Sequence, residues 1–419
     1  MQLTHLSLTN FRNFARLDLD VPGGSLLLVG GNAQGKTSLL EAVYYLATFT
    51  SFHATQDRQL VSFTVAHETL AVARIVADFQ YSAENTVIRT VHATSGSLHR
   101  LEVRLICERD QMGEARLRKE ILLDGVARKA GEAMGAFNAI LFLPHMLRII
   151  EGAPEERRRY LNLSLSQVMP RYAADLAEYQ RLLAQRNALL KQLSERGGDS
   201  GQLTYWDEQL AAAGARLIHA RIQAVRELER LAARLHHELT QGQEVLRLDY
   251  QPSYDPLIPA VRDKPSQYTL PIHPLVDRSG LPVEKIRQGF LARLEQLRPV
   301  EIQRGVTTIG PHRDELRFLG NGIDLGIYGS RGQARTAVLA FKLAEVQWMK
   351  QKSGQNPVLL LDEVLAELDH ERRTDLLMRV LESEQALMTT TDLDAFPAEC
   401  VTRASLWQIS AGQVIPSAG

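Results

Sequence analysis

The sequence predicts an α/β fold with an antiparallel N-terminal sheet and a long helical hairpin inserted in its middle. Three observations predict it. An apolar strand, "SLLLV", runs through a glycine-rich loop, "GGNAQGKT", into a helix-patterned segment, "LLEAVYYLATF". Far downstream a second apolar strand, "VLLLDEV", ends in two carboxylates, Asp362 and Glu363. Between them, two stretches with apolar residues at helical spacing flank the turn "RGGDSGQ".

Size and composition set the frame. A chain of 419 residues buries a substantial core and accommodates two lobes. Hydrophobic residues at 45% and charged residues at 23% are ordinary for a globular protein. The formal net charge of −1 argues against a constitutively basic nucleic-acid protein and leaves room for a local basic patch. Two cysteines, Cys107 and Cys400, cannot make a disulfide framework and read as buried thiols in a reducing cytoplasm. The twelve histidines show no metal-site spacing; His236 and His237 are adjacent, so on a helix they diverge. No apolar run approaches the ~20 residues of a membrane helix, and "MQLTHLSLTNF" alternates like a strand rather than a signal segment.

Taken in order, "LTHLSLTNF" and "ARLDLDV" alternate as strands, and "SLLLV" is a buried one. After the first helix, "TLAVARIVADF", "NTVIRTVHA", "RLEVRLICER" and "RKEILLDG" have period two and predict the antiparallel sheet. "GEAMGAF" is short and helical, and "NAILFLP" is another strand. From Pro154 the texture becomes helical, with the main body of the hairpin at about 170–241. "EVLRLDYQP" is a short strand, a Pro-rich passage follows, and "VEKIRQGFLARLEQLRPVE" is a helix. "QALMTTTD" is a strand and turn, and "LWQISAGQVI" a hairpin. The expected division is 1–153 as the first lobe with the glycine-rich loop, 154–244 as the inserted arm, 245–300 as a connector and 301–419 as the C-terminal part of the same body, with the acidic strand end.

The loop Gly30, Gly31, Asn32, Ala33, Gln34, Gly35, Lys36, Thr37, followed by Ser38, fits G-x-x-x-x-G-K-T between a strand and a helix, the context that phosphate loop requires. Gly30 and Gly35 let the backbone wrap phosphates, and successive N–H groups at a helix start supply positive potential. Lys36 is expected to reach the β- and γ-phosphates of ATP, and the Thr37 hydroxyl to face Mg2+. Asp362, at a strand end, is the second expected Mg2+ ligand, and Glu363 the general base for an attacking water.

These motifs resemble the ATP-binding-cassette ATPases, their SMC-like branch in particular, and within it the RecF family of bacterial DNA-repair proteins. The likeness runs nearly end to end through "LTNFRNF", "GNAQGKTSLLEA", "EGAPEERRRYLN", "TTIGPHRDEL", "GSRGQARTAVLAFKLAE" and "LLLDEVLAELDHERR". It implies that Ser330, Arg331, Gly332 and Gln333 are the cassette signature, which in this superfamily contacts the γ-phosphate held by a partner subunit. The residues alone also fit a capping turn for the helix that follows. Arg12 and Asn13 match the family's nucleotide-touching "FRN", or else form a polar strand-end turn. Ala366, Glu367, Leu368 and Asp369 match a D-loop that crosses the dimer interface, although Asp369 also suits the cap of "HERR". Thr390 is the polar candidate in the switch region.

Two positions depart from the superfamily. "LFLPHMLRI" has no Q-loop glutamine, leaving His145 as a partial substitute or a plain turn residue, and "MTTTD" has no switch histidine. His312 and Arg313 in "GPHRDEL" divide evenly between function and structure. The resemblance implies an ATP-dependent clamp that dimerises on ATP and binds duplex DNA or duplex–single-strand junctions. It implies RecR and RecO as partners in loading RecA onto single-stranded gaps, in support of replication restart and the SOS response. Hydrolysis would be slow and DNA-stimulated, and the protein cytoplasmic and nucleoid-associated when bound to DNA. Competing readings are a transporter subunit, which the helical hairpin leaves unexplained, and a nucleotide-gated scaffold without turnover, against which Glu363 argues. Arg157, Arg158 and Arg159 are a candidate phosphate-contacting cluster or a salt-bridged helix start.

Overall fold

The computed structural model describes residues 1–82, 97–109, 115–257, 276–367 and 369–416. The expected strand "NTVIRTVHA", most of the Pro-rich passage and Leu368 lie outside them. The chain divides into two compact units, Met1–Met146 with Glu345–Gly419, and Leu147–Ala344.

The first unit is built on two sheets. One is antiparallel, in the spatial order Phe14–Asp20, Gln2–Phe11, Leu70–Gln80, Leu98–Arg109, Ala115–Leu123 and Val126–Arg128. The period-two segments pair as alternation demands: Leu6, Leu8, Ile75, Ala77, Leu101, Val103 and Leu105 are fully buried. The other sheet carries the sequence-predicted chemistry. Its order is Gln413–Pro416, Ser405–Ser410, Gly24–Val29, Gln385–Thr390, Val358–Asp362 and Ala139–Phe142. All neighbours in it are parallel except the C-terminal hairpin. Buried on both faces, its central strands read as unbroken apolar runs, "SLLLV" and "VLLL".

Helix Lys36–Thr48 packs its Leu39, Leu40, Val43 and Leu46 into one continuous core that also takes Leu6, Ile75 and Val103 from the first sheet and Leu28, Leu360 and Leu387 from the second. Each such side chain contributes about 1.5–3 kcal/mol through burial. Asp362 of one parallel strand stands opposite Thr389 of the next. The strand Gln385–Thr390 therefore lies between the two strands that carry the phosphate loop and the acidic pair.

The second unit holds the hairpin, helices Tyr172–Arg196 and Leu203–Leu239, with Val283–Arg304 packed along both. A three-stranded antiparallel sheet, Ile323–Asp324, Glu315–Gly320 and Leu246–Gln251, completes it. Its polar interior centres on the "GPHRDEL" segment. Asp314 is 1% exposed, pairs with Arg221 at 2.9 Å, and accepts from the Tyr250 hydroxyl and the Ser253 N–H. Arg221 in turn donates to the Tyr172 hydroxyl, the Pro311 carbonyl and Asn162. His312 sits between the Tyr179 hydroxyl, 2.8 Å from Nδ1, and the Thr307 carbonyl, 3.2 Å from Nε2. His312 and Asp314 thus knit the unit together, and Arg313 is exposed.

The arginine cluster is likewise engaged. Arg157 grips Glu315 through Nε and a terminal nitrogen, each at 2.7 Å, and Arg158 donates to the Asp314 carbonyl. Among the described residues no helix is long and apolar enough to cross a membrane. Both cysteines are buried and unpaired.

Candidate nucleotide site

The strand Gly24–Val29 delivers its chain into a loop that ends at helix Lys36–Thr48. Two glycines make that path possible. A Cβ on Gly30 would lie 2.3 Å from the Ile409 carbonyl oxygen. Gly35 caps the helix at φ 116°, where a side chain is strained and would meet Asn13 at 2.5 Å. The loop is braced from outside as well. Asn13 Nδ2 and the Gly412 N–H both donate to the Gln34 carbonyl at 3.0 Å, and the Ala411 N–H donates to Gln34 Oε1 at 2.6 Å. The turn of the C-terminal hairpin is therefore part of the loop's support.

A cleft of about 760 Å³ opens above the loop, lined by residues 31–38, Arg12, Asn13, Glu363 and the segment Val61–Thr64. Lys36 is 4% exposed. Its Nζ donates to the carbonyls of Gly30 at 2.6 Å and Gly31 at 3.1 Å, and stands 3.3 Å from Glu363 Oε1. The Thr37 hydroxyl donates to Asp362, 2.9 and 3.1 Å from its two oxygens. Hydroxyl and carboxylate are hard oxygen donors suited to Mg2+, which takes few protein ligands and completes its shell with phosphate oxygens and water.

The acidic pair is held by a residue that sequence reasoning passed over. Thr389 Oγ1 donates to Asp362 Oδ1 at 2.8 Å and accepts from the Glu363 N–H at 3.0 Å. Thr390, the expected switch residue, uses its hydroxyl to close its own turn, donating to the Asp392 carbonyl at 2.6 Å and accepting from the Asp392 N–H at 3.1 Å. The parallel register opposes Asp362 to Thr389, so only a knowledge of which strands pair picks out the right threonine. Glu363 itself has φ 47°, a left-handed backbone that is uncommon away from glycine and concentrates at functional sites. Its side chain is 42% exposed, turned toward the cleft.

Arg12 lines the cleft with its guanidinium largely committed. Nε and one terminal nitrogen each donate to Glu41 at 2.7 Å, and the other donates to the Gln59 carbonyl at 3.1 Å. Glu41 is 2% exposed and also accepts from Ser51. Of five N–H donors on the arginine, two remain for a ligand. His145 is exposed in the short turn after the strand Ala139–Phe142.

Asp369 caps helix His370–Leu381, accepting from the Arg372 N–H at 3.0 Å and pairing with the Arg372 guanidinium. Burial pushes the Asp369 carboxyl up, but these Arg372 contacts outweigh it and hold it below the usual carboxylate range. In the second unit, Ser330, Arg331 and Gly332 are exposed at the start of helix Arg331–Ser353, with Gln333 half-buried. The Ser330 N–H donates to Gln333 Oε1 at 3.0 Å and the Gln333 N–H to Ser330 Oγ at 3.2 Å, the reciprocal pattern of a capping box. As Ser330 Oγ accepts in that box, its hydroxyl proton stays available to an anion. Just ahead of it, Ile327 and Tyr328 are 63% and 62% exposed.

The arrangement can bind a nucleoside triphosphate on backbone N–H groups and Lys36, and can present Glu363 to a water beside it. The family model described as RecF/RecN/SMC N terminal domain matches residues 2–400. The DNA replication and repair protein RecF of Roseiflexus castenholzii is 40% identical, with all of both chains covered. That of Chloroflexus aggregans is 39% identical over 99% of each. Among solved structures, that of the recombination mediator protein RecF with ATP, in the RecFOR pathway, superposes with a TM-score of 0.79. It is 29% identical over 99% of this chain and 97% of that one.

Proposed function

The chain belongs to the RecF family of DNA replication and repair proteins, and on that premise we propose that it is an ATP-dependent DNA-binding clamp whose two copies close around two ATP molecules. Each nucleotide lies between the phosphate loop of one copy and the Ser330–Gln333 turn of the other, as two-fold symmetry requires of a self-complementary pair. The Lys36 ammonium and loop N–H groups take the phosphates. Thr37 and Asp362 hold Mg2+, which neutralises charge on the phosphate oxygens when bound. Glu363 accepts a proton as water attacks the γ-phosphoryl group, giving ADP and phosphate, and Asp369 contributes at the interface. Residues 1–153 and 301–419 act as the ATPase body, 154–244 as an arm and 245–300 as a connector.

The observation that carries the hydrolase reading is Glu363, exposed toward the cleft and 3.3 Å from Lys36, with its backbone pinned by Thr389. The exposed Ile327 and Tyr328 beside Ser330 support pairing, since apolar side chains next to a binding turn favour a protein partner. Closure completes a surface for duplex DNA or a duplex–single-strand junction, contacted chiefly at phosphates and therefore salt-sensitive. The partners of the cycle are RecR and RecO, and its outcome is RecA loading on single-stranded gaps in the cytoplasm, supporting replication restart and the SOS response. Hydrolysis is slow, DNA-stimulated, and releases the clamp.

Sedimentation and duplex binding with and without ATP test this. The wild type is expected to shift from monomer to dimer with ATP and to retain duplex only then. A Ser330→Arg variant is expected to bind ATP yet remain monomeric. A nucleotide-independent monomer that binds duplex equally well in both conditions would overturn the clamp.

A further inference from the structure

Within the capping box, Gln333 uses its backbone N–H and its amide oxygen. Its amide Nε2 donates to Glu244 Oε1 at 2.9 Å. Glu244 lies in the turn between helix Leu203–Leu239 and strand Leu246–Gln251, and the turn is firmly tied. The Gly242 N–H donates to the His237 carbonyl at 2.8 Å and the Gln243 N–H to the Thr240 carbonyl at 3.0 Å. The Val245 N–H donates to Asn321 Oδ1 at 2.9 Å, and the Asn321 N–H returns to the Val245 carbonyl at 2.9 Å. The second oxygen of Glu244 stands 3.6 Å from Nε2 of the fully buried His236.

We propose that Glu244 is the positioning residue of the Ser330–Gln333 turn, the group that fixes the Ser330 hydroxyl for the γ-phosphate of ATP held by a second copy of this chain. The argument is one of donors and acceptors. An ionised carboxylate only accepts, so Glu244 admits one orientation of the Gln333 amide, nitrogen toward itself and oxygen toward the Ser330 N–H. Flipped, the amide would set its NH2 against that N–H, two donors face to face, and the box would open. Opening releases Ser330 Oγ from its place at the head of the helix, where N–H groups and the helix dipole converge on an anion. Because Glu244 is anchored to the end of the 37-residue helix rather than to the signature helix, the turn is referenced to the hairpin. This inference rests on the reading of Ser330 as a contact to the other copy's nucleotide.

Glu244→Ala and Glu244→Gln, each alone and each mixed with Lys36→Ala, test it. E244A is expected to bind a fluorescent ATP analogue like the wild type. Its turnover should fall about tenfold, the size of one hydrogen bond to a charged group. E244Q keeps an oxygen that accepts from Gln333 and should retain most of the turnover. Mixed with K36A, E244A should exceed either variant alone, because one composite site then carries neither substitution; a general folding defect would show no such recovery. The mixture of Ser330→Ala with K36A is the control, since Ser330→Ala removes the hydroxyl without the bulk that keeps S330R monomeric. If the control does not recover, the shared-site reading falls. If it recovers, while E244A alone turns over ATP at the wild-type rate or its mixture with K36A gains nothing, the role of Glu244 is overturned and the shared site stands.

Discussion

Lys36 Nζ stands 3.3 Å from Glu363 Oε1, and with the Gly30 and Gly31 carbonyls this accounts for all three N–H donors of the ammonium. The Lys36 ammonium is thus held against the loop carbonyls and beside Glu363. Lys36→Ala removes that charge while leaving the glycine-built backbone in place. ATP turnover is expected to fall roughly 100-fold or more, by analogy with loss of one charge-stabilising donor in a preorganised site. Phosphate release and nucleotide titration check it; wild-type values for both would dissociate Lys36 from the chemistry.

Glu363→Gln keeps the shape of the side chain and its N–H bond to Thr389, since the latter is a backbone contact. It removes the carboxylate proposed to accept the attacking water's proton. The expected loss in turnover is about 100- to 10,000-fold, with ATP binding preserved and ATP-dependent dimers accumulating on duplex DNA. Sedimentation and single-turnover hydrolysis read the two effects separately. Normal hydrolysis by the purified variant would place the base elsewhere.

The parts of this site legible in the sequence are those whose geometry is local. The phosphate loop is one: Gly30, Gly35, Lys36 and Thr37 are fixed by spacing, because a strand, a wrapped backbone and a helix start follow one another within it. The Ser330-x-x-Gln333 turn of the second unit is local in the same way: its capping reading proves real, and the box leaves the Ser330 hydroxyl proton free of it. Thr389 was illegible because its contact with Asp362 depends on which strands are neighbours, and "MTTTD" gives no reason to prefer it to Thr390. Glu244 and the Arg221–Asp314 pair were hidden for the same reason, their partners lying 89 and 93 residues away. The roles of His312 and Asp314 follow from burial, which composition around "GPHRDEL" does not report.

His312 offers a pH test. Burial is the largest cause that lowers its pKa, to about 4, with Arg313, Arg158 and Arg221 adding to it and the Thr307 carbonyl opposing. The Thr307 oxygen can only accept, so Nε2 carries the proton and Nδ1 accepts from Tyr179. A histidine neutral when folded and of ordinary pKa when unfolded binds more protons unfolded. Its contribution is therefore present above about pH 6.5 and lost as pH falls toward 4, amounting to roughly 3 kcal/mol over that interval. His312→Gln should be less stable at pH 7 yet lose less on acidification. Urea unfolding at pH 7 and 4.5 measures the difference in slope; parallel curves for the two proteins would show that His312 does not titrate with unfolding.

Arg186 makes the sharpest stability prediction. It, Asp207 and Glu301 are all 0% exposed, with Arg186 2.6 Å from Asp207 and 2.7 Å from Glu301. Arg186→Met is expected to cost about 3–5 kcal/mol, because it leaves buried charge uncompensated rather than because the pair itself is strongly stabilising. The two carboxylates are not equivalent. Asp207 keeps Arg298, 2.6 Å from its other oxygen, whereas among the described residues the Glu301 carboxylate keeps only the Thr308 N–H and hydroxyl, at 2.6 and 2.8 Å. The stranded charge is therefore Glu301. Adding Glu301→Gln to R186M should restore a good part of the loss, and adding Asp207→Asn should restore little, since it also costs Arg298 its nearest carboxylate and leaves it Glu295 at 3.8 Å and the Thr204 hydroxyl at 3.2 Å. Urea unfolding of the two double variants ranks them directly. Equal rescue by both, or greater rescue through Asp207, would mean that Arg298 does not compensate Asp207 and that the network is shared evenly.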